Sequence, residues 1–461
     1  RVSRYGIKGR SVLLVGSLKV RTVLPAFQVS REFARYSQSV LKKGEWQNES
    51  EIPGPRNFPI VGNTFRFIPY IGEYADLQML DVLRVLRDAY GDIVKLDGIL
   101  GRRPAVFLYD PNSSAKMYRM QGVWPSRIAM ESLHEYRLSR PEIYEDQFGL
   151  STSQGKVWHD FRSKVNPYMM QPRVVKPHVA QINEVTEDFI NKMRDLRDSK
   201  TLELPANFNN ELNKWSLEAI SSIALNHRLG CLEHNLDKNS EPQTVISCVH
   251  DMFEMLYRLE ILPSLWKIYK TPDLKRLFRS LDRLNGIAIK YINRAKEHFD
   301  ANPTKNTNEQ SILEKLLQVD GLTARVMSLD MFTAGVDTTG NTSAALLYYI
   351  ADNPDKQQKL RDEAMTLLPD KDSPVTADIL NEAPYLKACI KESLRMFPIS
   401  IGSQRTLQTD IVLDGYKIPK GVSQKSFSSK ILFIYLERGR VSKILLRKRF
   451  LRTRLYLCLH C

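Results

Sequence analysis

Apolar residues recur at the spacing of an α-helix over most of the chain. This spacing extends from about residue 112 to residue 397, and a separate helical stretch covers residues 77–90. Two short apolar runs at 93–96 and 105–109 predict strands, and residues 405–418 predict further ones. The pattern therefore predicts a mainly α fold with a small β-sheet. Prolines interrupt the helical pattern and mark the predicted helix limits, at positions 141, 205, 263, 272, 303, 354, 369, 374 and 384.

The apolar content is that of a globular protein. The longest apolar run covers residues 344–351, short of the ~18 residues that a membrane-spanning helix needs. The chain has 461 residues, of which 43% are hydrophobic, which excludes a disordered or fibrous protein. Its five cysteines are few and odd in number, which excludes a disulfide scaffold and fits a reducing compartment.

The net charge of +15 is concentrated at the two ends of the chain. Residues 1–43 hold ten basic residues and one acid, and residues 422–461 hold the same numbers. The stretch between them has 47 basic and 50 acidic residues and is nearly neutral. A basic body that binds nucleic acid is therefore not expected.

The first 43 residues are rich in arginine and serine and poor in acids, and they mix apolar residues among the charges. These are the properties of a mitochondrial transit segment, and a solvated basic tail is the alternative. A proline-rich connector around Pro53, Gly54 and Pro55 then leads into the body, which we place at residues 44–421.

The composition changes abruptly at residue 422. The last 40 residues contain no proline, one glycine and one acid. A basic helix over residues 443–457 is one interpretation, and an out-of-frame or non-native tail is the other. The abruptness of the change favours the second, so we treat residues 422–461 as a tail of unrelated character.

The first candidate for chemistry is the segment 334–339, which reads Ala-Gly-Val-Asp-Thr-Thr within a helical stretch. Glycine, aspartate and paired threonines are weak helix formers, so we expect a locally opened hydrogen-bond ladder that admits a small ligand. Asp337 and Thr338 are the candidate proton donors. A polar stripe on a surface helix is the alternative.

Two further candidates carry charge. Glu392 and Arg395 are three residues apart in a helix predicted at 384–397, where they can pair, as many surface residues do. Lys387 and Lys391 form a basic patch on another face of the same helix.

Two candidate sites for holding an anion lie outside these helical segments, one earlier in the chain and one later. Trp158 and Arg162 are one turn apart, and an indole N–H with a guanidinium suits a carboxylate or propionate. A core tryptophan with a snorkelling arginine is the alternative. Arg405, in a predicted strand, is the second anchor.

In this order and spacing, these residues resemble the cytochrome P450 family of haem-thiolate monooxygenases over about residues 50–421. The transit-like start and the two lysines resemble the mitochondrial class, and the general appearance is that of an arthropod member. The resemblance implies a cytochrome P450-like helical fold, with haem b as cofactor. It also implies that Asp337 and Thr338 deliver protons, that Trp158, Arg162 and Arg405 hold the propionates, and that Glu392 and Arg395 form a structural ion pair.

The same resemblance implies the partners. A ferredoxin would dock at Lys387 and Lys391 and supply electrons, O2 would supply one oxygen atom, and the substrate would be small and lipophilic, either steroid-like or xenobiotic. It further implies a mitochondrial location, at the matrix face of the inner membrane, with peripheral membrane association.

One departure from the family concerns the metal ligand. The family holds its iron through a cysteine in a loop of the type Phe-x-x-Gly-x-Arg-x-Cys-x-Gly, and this chain has no such loop. The last cysteines, Cys458 and Cys461, lack the required glycines and phenylalanine, and Cys389 fits a packing role. No metal ligand is therefore assigned, and the fold is expected to be C-terminally incomplete. The rival function is a non-catalytic or truncated product that keeps the helical body without thiolate-ligated haem.

Overall fold

The computed structural model describes residues 46–427, apart from 172–173, 175, 235, 303–309 and 371–372. The predicted transit segment, the predicted helix at 443–457 and both terminal cysteines lie outside these residues. Helices dominate the described part and two small sheets accompany them, which confirms the predicted fold class. The helices are α1 Met79–Tyr90, α2 Pro111–Met120, α3 Glu131–Leu138, α4 Pro141–Tyr144, α5 Gly149–Thr152, α6 Gly155–Met169, α7 His178–Leu196, α8 Phe208–Ala224, α9 Glu241–Leu256, α10 Pro272–Ala301, α11 Ile312–Leu317, α12 Gly321–Asp352, α13 Pro354–Leu367, α14 Ala377–Asn381 and α15 Pro384–Met396.

The larger sheet brings together the two ends of the described chain. The strands are β1 Gln47–Asn48, β2 Ile93–Leu96, β3 Ala105–Leu108, β4 Gly402–Thr406, β5 Ile411–Leu413, β6 Tyr416–Ile418 and β7 Ser423–Phe427. The strand order of the larger sheet is β2-β3-β7-β4, with β3 and β7 parallel and the other neighbours antiparallel. A smaller sheet has the order β1-β6-β5.

Strand β7 lies just beyond the predicted boundary at residue 421. Its backbone pairs with β3 on one side and β4 on the other, so it is an inner strand of the sheet. Its side chains suit this position poorly, because Gln424 is fully buried with neither amide atom paired in the described structure, and the Ser423 hydroxyl is also unpaired. The change of composition at residue 422 therefore falls within the fold, just before its last described strand.

Period-two alternation explains why β2 and β3 are buried on both faces. Val94 and Phe107 join a cluster of apolar side chains with α1 on one face, whereas Ile93 and Val106 join a second cluster with β5 and β6 on the other. Helix α1 ends at Gly91, whose φ of 95° is in the region that favours glycine.

The 32-residue helix α12 runs through the centre of the helical body. The Asp320 side chain caps its start by accepting a hydrogen bond from the Thr323 N–H at 2.7 Å. Phe332 and Val336 belong to one buried cluster, and Leu347 belongs to the other cluster, which includes α8 and α15. Among the described residues, no helix is long and apolar enough to cross a membrane.

Candidate functional site

Three arginines from separate segments lie close enough for their charges to interact. Arg162 lies on α6, Arg405 on β4 and Arg127 in the loop between α2 and α3. Burial lowers the pKa of Arg127, and the positive charges of Arg405 and Arg162 lower it further. In the described part of the chain, none of the three forms an ion pair with a carboxylate. The cluster therefore carries positive charge without a matching anion.

The loop that carries Arg127 is tied to both neighbouring elements. The N–H of Thr406, the last residue of β4, donates to the Ser126 carbonyl at 3.0 Å. The Arg127 N–H donates to Oε1 of Gln154, the residue before α6, at 2.6 Å. These backbone contacts hold Arg127 between the strand of Arg405 and the helix of Arg162.

Trp158 is half-buried and contacts this cluster through Arg127. The guanidinium of Arg127 stacks over its ring, with 4.5 Å between the guanidinium carbon and the ring centroid. The Nε of Arg127 is buried and has no hydrogen-bond partner in the described structure. A buried donor without a partner is costly, so a carboxylate ligand would stabilise this arrangement.

Arg405 is held in place by neutral groups. Its Nε donates to the Gln121 side chain, its Nη1 donates to the Gln404 carbonyl at 2.8 Å, and its guanidinium lies over the Tyr118 ring at 5.0 Å. Burial lowers the pKa of Arg405. These contacts orient the guanidinium but leave its charge unneutralised, as an anion anchor requires.

The segment with Asp337 and Thr338 lies on α12, and the expected opening of its hydrogen-bond ladder is wrong. Helix α12 is continuous from Gly321 to Asp352. Thr338 Oγ1 donates to the Ala334 carbonyl at 2.7 Å, and Thr342 Oγ1 donates to the Thr338 carbonyl at 2.7 Å. The threonine hydroxyls thus bond back to carbonyls one turn earlier, which the α-helix tolerates.

The glycines of this segment serve helix packing. A Cβ on Gly335 would lie 2.5 Å from the Ile220 side chain, and a Cβ on Gly340 would lie 2.2 Å from the Asn213 side-chain oxygen. Ser216 Oγ on α8 also donates to the Gly335 carbonyl at 2.7 Å. The glycines therefore let α8 approach α12 closely, which explains their presence without a broken helix.

Asp337 contacts a histidine that the sequence did not single out. Its Oδ1 lies 3.1 Å from Nε2 of His250 on α9, and its side chain is nearly buried. Asn213 Nδ2 lies 2.9 Å from the same imidazole nitrogen. The neighbouring Asp337 carboxylate raises the pKa of His250 above its usual value, against the opposing effect of burial.

The arginine cluster and α12 are joined through the short helix α5. Arg127 Nη2 donates to the Leu150 carbonyl at 3.1 Å, and the Leu150 N–H donates to Asp330 Oδ2 at 2.8 Å. Asp330 also forms a buried ion pair with Arg137, with 2.6 Å between Nη2 and Oδ1. Since Asp330 lies two turns before Asp337 on α12, these contacts place the two parts of the site on one connected frame.

The remaining predicted residues lie on α15. The Arg395 guanidinium donates two hydrogen bonds to the Glu392 carboxylate, at 2.7 and 2.5 Å, so the predicted pair is present. Both side chains are substantially exposed. Lys387 and Lys391 are exposed one turn apart on this helix. The Lys387 ammonium donates to the Asn381 carbonyl at 3.1 Å.

Comparisons with known proteins agree with this structure. The profile of the family described as Cytochrome P450 matches residues 52–424. The chain is 40% identical to Cytochrome P450 CYP12A2 of Musca domestica, over 86% of this chain and 74% of that protein. It is also 40% identical to "Probable cytochrome P450 12a5, mitochondrial" of Drosophila melanogaster, over 76% of this chain and 66% of that protein. It is 37% identical to "Probable cytochrome P450 301a1, mitochondrial" of the same fly, over 82% of this chain and 69% of that protein.

The chain thus spans about two thirds to three quarters of the length of these relatives. Their names and organisms confirm the predicted mitochondrial class and arthropod character. The haem iron that the sequence resemblance implied is the cofactor of this family, whose members are oxidoreductases. The chain belongs to the cytochrome P450 family of monooxygenases.

Proposed function

We propose that the chain carries the body of a mitochondrial monooxygenase that inserts one oxygen atom of O2 into a small lipophilic substrate, steroid-like or xenobiotic, with electrons from a ferredoxin. The observation that carries this proposal is the cluster of Arg127, Arg162 and Arg405, in which Arg127 stacks on Trp158, with no paired carboxylate among the described residues. Two propionates of a haem fit such a donor set. When bound, haem iron supplies the activation of O2.

The second requirement is a proton source beside the place where O2 would be activated. Thr338 Oγ1 is partly exposed and donates only to the Ala334 carbonyl in the described structure. Rotation about one side-chain bond frees this hydroxyl to donate elsewhere. Asp337, next to it and held by His250, is the acid that resupplies the proton.

A direct test uses the haem-loaded full chain with a mitochondrial ferredoxin and its reductase. With 7-ethoxycoumarin and testosterone as probe substrates and ¹⁸O2 as oxidant, we expect ¹⁸O-labelled product. Thr338→Ala should give less product per NADPH consumed, whereas the matched Thr338→Ser keeps the hydroxyl and should remain close to the original ratio. Equal ratios in both variants would contradict the role of Thr338.

Ferredoxin docking is proposed at Lys387 and Lys391. Both ammonium groups are exposed on α15, four residues apart on one helical face. Ferredoxins of this type are acidic, so paired cations on a rigid helix provide complementary charge. The proposed matrix location follows the mitochondrial class. A fusion of residues 1–43 to a fluorescent protein should enter mitochondria, and the same fusion with its arginines changed to glutamine should stay in the cytosol.

Peripheral association with the inner membrane is supported by two runs of exposed apolar side chains. The first run includes Ile60, Tyr70 and Ile71, and the second run includes Ile268. The segments that carry the two runs are both hydrogen-bonded to the loop between β2 and β3. In the first segment, the Asn63 N–H donates to the Gly98 carbonyl at 2.8 Å, and in the second, the Ser264 N–H donates to the Leu100 carbonyl at 3.2 Å. Clustered exposed apolar residues are typical of surfaces that contact lipid or protein.

The second candidate function is a non-catalytic body without thiolate-ligated haem. The observation that favours it concerns the described cysteines. Burial raises the pKa of the thiols of Cys231, Cys248 and Cys389, which keeps them protonated. Cys231 and Cys248 pack within one buried apolar cluster and Cys389 packs against the other, so the described cysteines fit packing roles rather than iron ligation, and no step is assigned through the iron. The reduced, carbon-monoxide-bound spectrum of the haem-loaded chain distinguishes the two candidates: a thiolate-type Soret band supports the monooxygenase.

A further inference from the structure

Strand β7 occupies the inner place between β3 and β4 with side chains that suit this place poorly. Its residues read Ser-Gln-Lys-Ser-Phe, so four of the five are polar, and four of the five are buried. The residues opposite them on β3 are apolar and buried, namely Ala105, Val106, Phe107 and Leu108. Strands that are covered on both faces are normally apolar along their length. Strand β7 is therefore a polar strand in an apolar place.

This mismatch leaves buried polar groups without partners. In the described part of the chain, neither amide atom of Gln424 forms a hydrogen bond, and the Ser423 hydroxyl also lacks one. Burial lowers the pKa of Lys425 to about 8. Ser426 is the exception, because its hydroxyl donates to Ser114 Oγ at 2.7 Å. Buried polar groups without partners are costly, so the described register of β7 is an unfavourable one for these side chains.

A better match for the same place lies eight residues further along the chain. Residues 431–435 read Ile-Leu-Phe-Ile-Tyr, and only Ser-Ser-Lys separates them from the last residue of β7. All five are apolar or aromatic, and isoleucine, phenylalanine and tyrosine are favoured in strands. This segment therefore has the composition that an inner strand requires.

A slip of eight residues keeps every position of the strand on its own face, because eight is an even number. Leu432 would take the place of Gln424 opposite Val106, within the apolar cluster that includes Val106. The slip would break the hydrogen bond between Ser426 and Ser114. On the same face and its neighbour, it would withdraw three unpaired polar atoms from the buried place. The exchange therefore favours the slipped side chains.

The opposite face of the strand has room for the larger side chains. Tyr435 would take the place of Phe427 and keep an aromatic ring near Phe107, whose centroid is 5.4 Å from that of Phe427. Phe433 would take the place of Lys425, which lines a cavity of about 240 Å³. Because this space is open beside the strand, the aromatic ring does not have to displace packed side chains.

The connection that precedes β7 also permits the slip. Strand β6 ends at Ile418, and residues 419–422 now lead to β7. After the slip, residues 419–430 would connect the two strands, and this stretch is mostly polar, as surface connections are. The entropy cost of closing a loop grows slowly with its length, so the longer connection opposes the slip only weakly.

We propose that the place between β3 and β4 also accepts residues 431–435 of the same chain, so that the larger sheet has two registers for its inner strand. The same chain is favoured over a second copy, because a tether of three residues gives the segment a high effective concentration at this place. The slip would exchange the polar neighbour of Arg405 on β4, Gln424, for an apolar one. The proposal does not depend on haem or on oxygen chemistry, since it rests on the side chains of the sheet.

The test is disulfide cross-linking from Val106→Cys, in a chain that also carries Cys458→Ser and Cys461→Ser to remove the nearby thiols of the tail. Position 106 has Lys95 of β2 opposite it on its other side, so only a residue in the place of β7 can link to it from a neighbouring strand. Adjacent strands lie ~4.8 Å apart, a distance that a disulfide spans.

Three second cysteines distinguish the registers. Gln424→Cys reports the described register and Leu432→Cys reports the slipped one, whereas Phe433→Cys would face the opposite side of the sheet and is the matched control. After mild oxidation, mass spectrometry of the linked peptides should show links within one chain for the first two, with at least fivefold more link for Leu432→Cys than for Phe433→Cys. Equal yields for these two, or links that join two chains, would overturn the proposal.

A competition experiment provides a second measurement. Gln424→Val combined with Lys425→Ile removes most of the unpaired polar groups from the described register. The link between Val106→Cys and Leu432→Cys should then fall at least threefold, because the described strand competes better for the place. Lys420→Gln, at an exposed position just before β7, should leave the yield unchanged. An undiminished link in the chain with the apolar β7 would also overturn the proposal.

Discussion

The imidazole Nε2 of His250 lies 3.1 Å from Oδ1 of Asp337 and connects α9 to the acidic residue of the α12 segment. Asn213 from α8 lies 2.9 Å from the same nitrogen, so three helices meet at one polar contact. The Asp337 side chain is 13% exposed and the His250 side chain is 50% exposed, so water screens this contact in part. Asp251, the next residue along α9, adds a smaller effect that also favours the charged imidazole.

This contact predicts a pH dependence of stability. Because the folded state raises the pKa of His250, the pair stabilises the fold fully below the unfolded value of about 6.5. The contribution is lost as the pH rises through the raised folded value. We expect Asp337→Asn to lower the pKa of His250, as measured by NMR titration of ¹³C-labelled histidine rings.

His134 is the internal control for that titration. Burial and the Arg137 charge lower its pKa, and Asp337 does not contribute to its shift. Its titration should therefore be the same in the unmodified chain and in Asp337→Asn. If the pKa of His250 also stayed the same, the contact would have no electrostatic effect.

The buried pair of Arg137 and Asp330 is expected to hold the site together. Their side chains are 4% and 8% exposed. Arg137→Met would leave the Asp330 charge buried without its partner, and the free energy of unfolding should fall by about 3–5 kcal/mol. The midpoint of urea unfolding measures this loss, and Arg137→Met combined with Asp330→Leu should recover part of it.

A matched control is the more exposed pair of Arg140 and Asp282, with 2.8 Å between Nη2 and Oδ2. Arg140→Met should lower the free energy of unfolding by about 1 kcal/mol or less, as exposed ion pairs do. Equal effects of Arg137→Met and Arg140→Met on the urea midpoint would show that burial does not distinguish the two pairs.

Ferredoxin docking gives a prediction that depends on salt. Lys387→Glu combined with Lys391→Glu should weaken the binding of a mitochondrial ferredoxin, most strongly at low ionic strength, because surface charges are screened within about 10 Å at 0.1 M salt. Surface plasmon resonance at several salt concentrations measures the effect. Lys356→Glu with Lys359→Glu, on exposed positions of α13, is the control. Similar losses in both double variants would rule out α15 as the docking helix.

The sequence was most informative where local pattern determines structure. The predicted stretch at 77–90 and the predicted strand at 93–96 correspond to α1 and β2, because periodicity and a following glycine are local signals. The pairing of Glu392 with Arg395 was likewise predictable from a three-residue spacing on one helix.

The sequence was least informative where the structure depends on contacts between distant segments. Arg127 lies in a loop whose place is fixed by β4, and the Gln404 side chain reaches the Ile128 carbonyl across 276 residues of sequence. No local signal separates this arginine from others in the chain. His250 was missed for the same reason, since the packing of α9 on α12 alone brings it to Asp337.

The expected opening of α12 failed for a related reason. Gly335 and Gly340 weaken a helix in isolation, but in the fold they allow the close approach of α8. Residues beyond the predicted boundary at 421 form β7, because strand pairing depends on the backbone. Backbone hydrogen bonds of β7 to β3 and β4 form despite side chains such as Gln424, which suit a buried strand poorly.

The central claim is that Arg127, Arg162 and Arg405 form the carboxylate-binding end of a haem site. Titration of the full chain with haem and with haem dimethyl ester, followed by quenching of tryptophan fluorescence, tests it most directly, because the ester lacks the two carboxylates. Haem should bind at least tenfold more tightly than the ester, since one charge-assisted hydrogen bond contributes about 1.5–3 kcal/mol. This preference should disappear in Arg127→Gln combined with Arg162→Gln and persist in Arg279→Gln, a surface control. Equal affinities for haem and its ester in the unmodified chain would contradict the account.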